Sequence, residues 1–270
     1  MRQGPEGNNG RESHRMNPMT DPGTTLILHA RYRKLVISVE KQLEWDATKT
    51  ILLVVDVWNE HWCKGANERL AAMLARMDET IKAARAKGVT IINAPSETME
   101  YYKDYPQRQR MHAEPKVIFD KADSKGKLFT LRKDFTWPIA VMSDGGCSDT
   151  PKCHQHRAWT SQNDAIEIFA DDLISDDGME IYSYIKSHGI ENVIILGVHT
   201  NMCIMGRSFG IRKLVAWHLN VVLCRDLTDA MYNPRSWPFV SHERGTELVV
   251  EHIERHWCPS ISSKDITGST

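Results

Sequence analysis

Two side chains in this 270-residue sequence stand where their type and place could support covalent chemistry: Cys203 and Asp56. Cys203 follows the apolar run NVIILGV, residues 192–198, after the polar stretch His199-Thr200-Asn201-Met202. It comes at the expected start of a helix. Open backbone N–H groups and the helix dipole there favour a thiolate, and the same N–H groups could hold an oxyanion. A buried, inert thiol is the competing reading, because that is the common state of an isolated cysteine. Asp56 closes the run Ile51-Leu52-Leu53-Val54-Val55. A carboxylate there must be solvated, paired or functional, since burying an unpaired charge is costly. Capping the next turn is the simpler alternative.

More polar groups follow other apolar runs. Trp58, Asn59, Glu60, His61 and Trp62 come after the first; Asn93, Ser96 and Glu97 after the second; Arg225, Asp226, Thr228 and Asp229 after the run ending at Cys224. Ligands of an open parallel sheet bind at the carboxyl ends of its strands. These residues would then share one rim. Trp58, Trp62, Tyr101, Tyr102 and Trp159 make it rich in aromatics, either packed under a long loop or lining an apolar pocket.

The elements that must carry this rim are legible as periodicities. Residues 51–56 read as a strand buried on both faces. Residues 66–87 place Leu70, Met73, Leu74, Met77, Ile81 and Ala84 on one helical stripe, and Gly88 marks its end. Residues 89–93 form a second strand, completing a βαβ unit. Residues 95–163 lose periodicity and read as a long insertion over the sheet. A strand at 164–169, a helix at 178–188, a strand at 192–198, a helix at 201–217, a strand at 219–224 and a helix at 241–256 follow. This alternation predicts an open, doubly wound, three-layer α/β domain with a mainly parallel sheet, spanning 25–258. Residues 1–24 read as a disordered leader without the apolar core of a signal peptide, and 259–270 as a flexible tail.

Composition narrows the function. The formal net charge is -1 and charged residues make up 26%, which is not the basic excess of a nucleic-acid binder. No apolar run is long enough for a transmembrane helix. Six widely spread cysteines suggest reduced thiols in a cytoplasmic protein rather than a disulfide scaffold. Cys63, Cys224 and Cys258 read as ordinary buried thiols. The local group Cys147, Cys153, His154 and His156 fits no standard zinc spacing; a local disulfide, a structural metal or no special role stay open for it. Neither a G-x-G-x-x-G turn nor a P-loop is present.

The segments LLVVDVWNEHWC and ILGVHTNMC together resemble the two signatures of the isochorismatase-like cysteine hydrolases. The second aligns at Gly197, Val198, His199, Thr200, Asn201 and Cys203, and LCRDLTDAM extends the likeness, which covers roughly 45–256 apart from the insertion. The resemblance implies a hydrolase acting on C–N bonds other than peptide bonds in a small molecule, without a cofactor. Cys203 would be the nucleophile and Asp56 its base. A cis peptide would join Val198 to His199, and backbone N–H groups near His199 and Cys203 would hold the oxyanion. Trp58, His61, Trp62, Thr200, Asn201, Thr228 and Tyr232 would line the substrate pocket. Family members self-associate, so a homo-oligomer is expected.

The sequence departs from the family at the third catalytic residue, a Lys. Glu167 takes that place on the strand expected at 164–169, and no Lys occurs between Lys152 and Lys186. A carboxylate there would raise the thiol pKa. Lys152, His154, His156, Arg157 and His61 are candidates for a substitute cation. The metal ligands of the nicotinamidase branch are also missing, since that place reads Ala94-Pro95-Ser96-Glu97, and no metal is expected. Two alternatives follow: a non-catalytic small-molecule-binding or interaction scaffold, and a vinyl-ether hydrolase of the isochorismatase type, which would not need Cys203.

Overall fold

The computed structural model describes residues 24–118, 137–140 and 145–268, so the expected leader lies outside the described residues except for Thr24. Eight strands form one sheet in the order β2-β1-β8-β7-β6-β3-β4-β5. They are β1 (Thr25–Lys34), β2 (Ile37–Asp46), β3 (Thr50–Val55), β4 (Thr90–Ala94), β5 (Leu173–Ile174), β6 (Asn192–Val198), β7 (Asn220–Asp229) and β8 (Ser260–Ile261). All neighbours from β8 to β5 are parallel; β1 pairs antiparallel with β2 and β8.

The helices among the described residues are α1 (Lys64–Ala86), α2 (Met99–Tyr102), α3 (Pro106–Ala113), α4 (Gly178–Ser187), α5 (Cys203–Gly206), α6 (Ile211–Ala216), α7 (His242–His256) and α8 (Lys264–Thr267). None is long and apolar enough to cross a membrane. The alternation of β3 divides the interior. Ile51, Leu53 and Val55 face one core with Ile181 and Ile185 of α4, Leu214 of α6 and Ile253 of α7. Leu52 and Val54 face the other, with Met73, Met77 and Ile81 of α1 and Ile266 of α8. Helices therefore cover both faces, as expected of three layers. Each fully buried aliphatic side chain contributes about 1.5–3 kcal/mol, which explains why the central strands are apolar throughout.

Register places the rim. Val55 of β3 stands opposite Ala94 of β4 and Gly197 of β6, so the chain leaves all three strands at one level, through Asp56, Pro95 and the Val198–His199 junction. Gly197 is required for this: its φ is +115°, and an added Cβ would collide with the Val55 carbonyl.

Four expectations are corrected. The β1–β2 hairpin was not anticipated, although Leu26, Leu28 and Ala30 alternate into the core. The tail is not flexible through residue 268. Ile261 and Ile266 are fully buried, and Asp226 accepts hydrogen bonds from the Ser263 N–H (2.8 Å) and hydroxyl (2.6 Å). Residues 164–169 form no strand. Ile166 packs into the α1 core and the Glu167 N–H donates to Asp78 of α1, while Leu173–Ile174 takes the ladder beside β4. The helix expected over 201–217 breaks into α5 and α6, because residues 207–210 turn so that fully buried Phe209 enters the core and the Ser208 backbone abuts Gly178 of α4.

The insertion at 95–163 contains α2 and α3. Arg108 of α3 pairs with buried Glu180 of α4. Farther on, the insertion pairs with the residues after β3: Trp58 bridges Gln162, and the Asn59 N–H donates to the Ser161 carbonyl (3.0 Å).

Candidate active site

Asp56 turns off the end of β3 with φ at +51°, in the left-handed region, and its side chain is fully buried. Such a backbone is uncommon for a non-glycine residue. It directs the carboxylate toward β4 and β6. Oδ1 accepts the Ser96 N–H at 2.8 Å and Oδ2 accepts Nε of Arg207 at 2.9 Å. The Cys203 thiol completes the set with a hydrogen bond to the same carboxylate.

Cys203 opens α5, four residues before Arg207. The Val198–His199 peptide is cis, and the His199 N–H is directed at the Cys203 sulfur. Burial pushes the Cys203 thiol up, and the Asp56 charge adds to it; Arg207 and the His199 N–H oppose both. Burial also pushes Asp56 up, and Arg207 with the bonds from Cys203 and Ser96 pulls it only partly back. The thiol is thereby held in its protonated form, with the Asp56 carboxylate in hydrogen-bond contact with it.

Arg207 is the cation that sequence reasoning missed. Its guanidinium also lies 3.7 Å from Oε1 of Glu97 and 6.0 Å from the Trp58 ring centroid. A local signal was available: four residues after a helix-starting Cys puts Arg207 one turn along on the same side. Glu167 does not join the site. Its side chain is 59% exposed and pairs with Lys82 on α1 (3.1 Å), beside the core on the opposite face of the sheet from the one Cys203 contacts. The strand that precedes α4 is instead Leu173–Ile174, and Ser175 and Asp176 follow it. Neither is a cation; Asp176 accepts the Glu97 N–H at 2.7 Å.

The proposed pocket residues divide. Trp58 stacks on Trp159 at 4.2 Å, His61 stacks on Trp159 at 5.9 Å, and His61 meets His199 edge-on at 4.9 Å. This aromatic group adjoins the cis peptide. Trp62 lies beside it, 5.0 Å from His61. His61 is not a substitute cation. Burial, then the Arg69 charge, push it down to about 4, and burial pushes His199 down to about 3. Because the Cys63 N–H donates to His61 Nδ1 (3.2 Å), the neutral ring carries its proton on Nε2.

The polar groups of Thr200, Asn201, Thr228 and Tyr232 are engaged within the fold. The Thr200 and Thr228 hydroxyls bond to each other at 2.7 Å, and Asn201 bonds both the N–H and the carbonyl of Met231. Tyr232 is buried against Gly245, and its hydroxyl donates to the Ser236 carbonyl. Lys152, His154 and His156 are exposed. Arg157 is exposed as well and donates to the Glu97 carbonyl.

A second thiol group lies on the far side of Trp62. Cys147 and Cys153 meet Cys63, which the sequence reading had set apart, around the carboxylate of Asp149. Among the described residues, Cys63, Cys147 and Asp149 lie close enough together to hold a metal ion, and Cys153 reaches the same carboxylate oxygen. His154 and His156 take no part; their rings face each other at 6.3 Å.

The chain is similar to solved structures, the first of which supports the fold. A cysteine hydrolase from Pseudomonas syringae pv. phaseolicola 1448A is 16% identical, with 83% of this chain and 93% of that one covered, at a TM-score of 0.51. An isochorismatase family protein from Burkholderia thailandensis is 14% identical over 83% of this chain and 98% of its own, at a TM-score of 0.47. No family model matches the sequence. No curated protein matches it either.

Proposed function

We propose that the protein is a cysteine hydrolase acting on a C–N bond next to a carbonyl group in a small molecule. Cys203 is the nucleophile, Asp56 the proton carrier and Arg207 the fixed cation. One observation carries this reading: a half-buried thiol and a half-buried guanidinium share a single fully buried carboxylate, Asp56, with the Arg207 Nε 2.9 Å from Oδ2. A binding scaffold has no use for a thiol held against a buried carboxylate and a guanidinium. A vinyl-ether hydrolase would not need the thiol at all.

The sequence of steps follows from proton positions. A substrate carbonyl placed against Cys203 draws the thiol proton onto Asp56 while the sulfur attacks carbon, forming a C–S bond. Negative charge moves to the carbonyl oxygen, where N–H groups of the turn before α5 can receive it. Collapse breaks the C–N bond, and the proton on Asp56 passes to the departing nitrogen. Water then attacks the thioester, Asp56 takes a proton from it, the C–S bond breaks, and the thiolate recovers that proton. Arg207 remains charged throughout. It favours the ionised carboxylate against the effect of burial and lowers the cost of the thiolate, which is the work the family's Lys would do. The aromatic group of Trp58, Trp159 and His61 suits a flat, weakly polar substrate.

The test is a screen of small amides, ureas and carbamoyl compounds against wild type and Cys203→Ala side by side. Turnover that vanishes in the variant, with a trapped thioester mass on Cys203 of the wild type, is the expected result. Turnover that persists in Cys203→Ala would refute the reading.

A further inference from the structure

We infer that the protein carries a structural zinc site, made by Cys63, Cys147, Cys153 and Asp149, that is separate from the Cys203 site. Cys63 is the residue just before α1, and the other three lie close together near the end of the insertion. The Cys63 and Cys147 sulfurs are 3.4 Å apart. Oδ2 of Asp149 lies 3.3 Å from Cys63, 3.3 Å from Cys147 and 3.1 Å from Cys153. One oxygen thus stands within hydrogen-bond reach of three sulfurs at nearly equal distances. Ligands about 2.3 Å from a tetrahedral zinc are separated by about 3.8 Å. Cys63, Cys147 and Asp149 form the tight part of the group and need to spread by only about half an ångström to admit the ion, with Cys153 reaching the same oxygen from beside them.

Hydrogen bonding alone does not account for the arrangement. Oδ2 of Asp149 also accepts the Gly65 N–H at 3.1 Å, so four donors converge on one oxygen. A carboxylate oxygen offers about two acceptor positions. An ion at the centre resolves the crowding, because each S–H is replaced by a metal–sulfur bond and the proton leaves to solvent. The surroundings also suit thiolates. The Lys64 N–H donates to the Cys153 sulfur at 3.5 Å and the Ala66 N–H to that of Cys63. These are first-turn amides of α1, with no earlier turn to bond to. Such outer bonds orient ligands and tune the metal. Room is reserved as well: a Cβ on Gly65 would stand 2.9 Å from Asp149 Oδ1.

Three thiolates and one carboxylate in a closed tetrahedron select zinc over the hard cations, which prefer more oxygen ligands. With every position filled by protein, the site is structural. It ties the end of the insertion to the start of α1, two residues from His61. Asn233 Nδ2 holds the Cys147 carbonyl at 3.2 Å and Arg235 holds that of Ser148 at 2.9 Å, so the insertion is gripped from the β7 side too. The inference does not depend on what Cys203 does.

The experiment uses the full chain, purified under reducing conditions and reconstituted with zinc, and separately with cobalt(II). We expect about one tightly held zinc per chain by elemental mass spectrometry, falling below about a tenth in Cys147→Ser and Cys153→Ser and unchanged in Cys203→Ser. The cobalt form should show thiolate-to-metal charge transfer and the intense visible bands of tetrahedral coordination. Asp149→Ala should weaken zinc at least about tenfold in chelator competition. An unchanged affinity removes Asp149 as the fourth ligand and overturns the site as stated. No zinc uptake by wild type with all six cysteines free, or a disulfide within Cys63, Cys147 and Cys153, overturns it as well, as does zinc retained in both serine variants. If the serine variants do not fold, the wild-type cobalt spectrum and chelator competition still decide.

Discussion

Two regions of this molecule combine the same chemical groups, thiols beside a carboxylate, in opposite ways. At the sheet rim, one thiol and one carboxylate share a guanidinium that the chain itself supplies: Cys203, Asp56 and Arg207. Beneath Trp62, three thiols converge on one oxygen of Asp149. In the first, the positive charge is fixed on a side chain, the thiol keeps its proton, and there is one acceptor ready to take it. In the second, we assign the positive charge to an ion, and the thiols would give their protons up for good. A mobile proton is what a nucleophile needs; a permanent set of thiolates is what a staple needs. His61 stands between the two, edge-on to His199 and accepting the Cys63 N–H.

The contrast can be broken most directly at Cys203. Cys203→Ala should lower kcat by about 10⁴-fold or more, because the nucleophile is removed outright. Cys63, Cys147 and Cys153 variants should lose far less turnover. Equal losses in steady-state assays would erase the distinction.

Arg207→Met tests whether the fixed cation separates the regions. It leaves Asp56 buried without its ion partner, which should cost about 3–5 kcal/mol of stability in urea titration. Since Arg207 lowers both Asp56 and Cys203, its loss should move the pH midpoint of Cys203 alkylation upward and lower kcat/KM on the order of 10²-fold. Arg207→Lys should recover part of the rate; if Met and Lys behave alike, charge is not its contribution.

His61 offers a pH test of the ground between. The unfolded chain takes up this proton near 6.5, whereas the folded ring does so at about 4. Between those values the unfolded state binds more protons, so stability falls as pH drops through that window. The full contribution is about 3 kcal/mol. His61→Asn should flatten the stability–pH curve between pH 6.5 and 4 in denaturant titrations; an unchanged slope would place the acid sensitivity elsewhere.

The smallest effect belongs to Glu167→Gln. With its side chain on the α1 side and largely exposed, kcat/KM should stay within about twofold of wild type. A larger loss would return Glu167 to the site from which the structure removes it.

Much of this was open to reading from local pattern. Asp56 declares itself because it ends an uninterrupted apolar run and Cys203 because it opens a helix a short polar stretch after another, and the paired segments around them carry the family likeness. The error at Glu167 has a definite source. The strand before α4 has only two residues, too few for any period, whereas Ala165–Phe169 alternates because it packs on a helix. Residues 25–46 were passed over although β1 alternates clearly, since its partner β2 is an exposed edge with little apolar signature.

By itself, then, the sequence determined the alternation of strands and helices, the place of the thiol and the carboxylate, and the absence of a Lys in the expected stretch. Only the tertiary structure decided which charges meet. Arg207 bonds to a carboxylate 151 positions away, and Cys63 reaches Cys147 across 84. Both contacts depend on how the chain comes together around the sheet: β6 lies beside β3 in register, and the insertion returns to the start of α1. Local periodicity reports which face of an element is buried, and it is silent on which element will lie next to it.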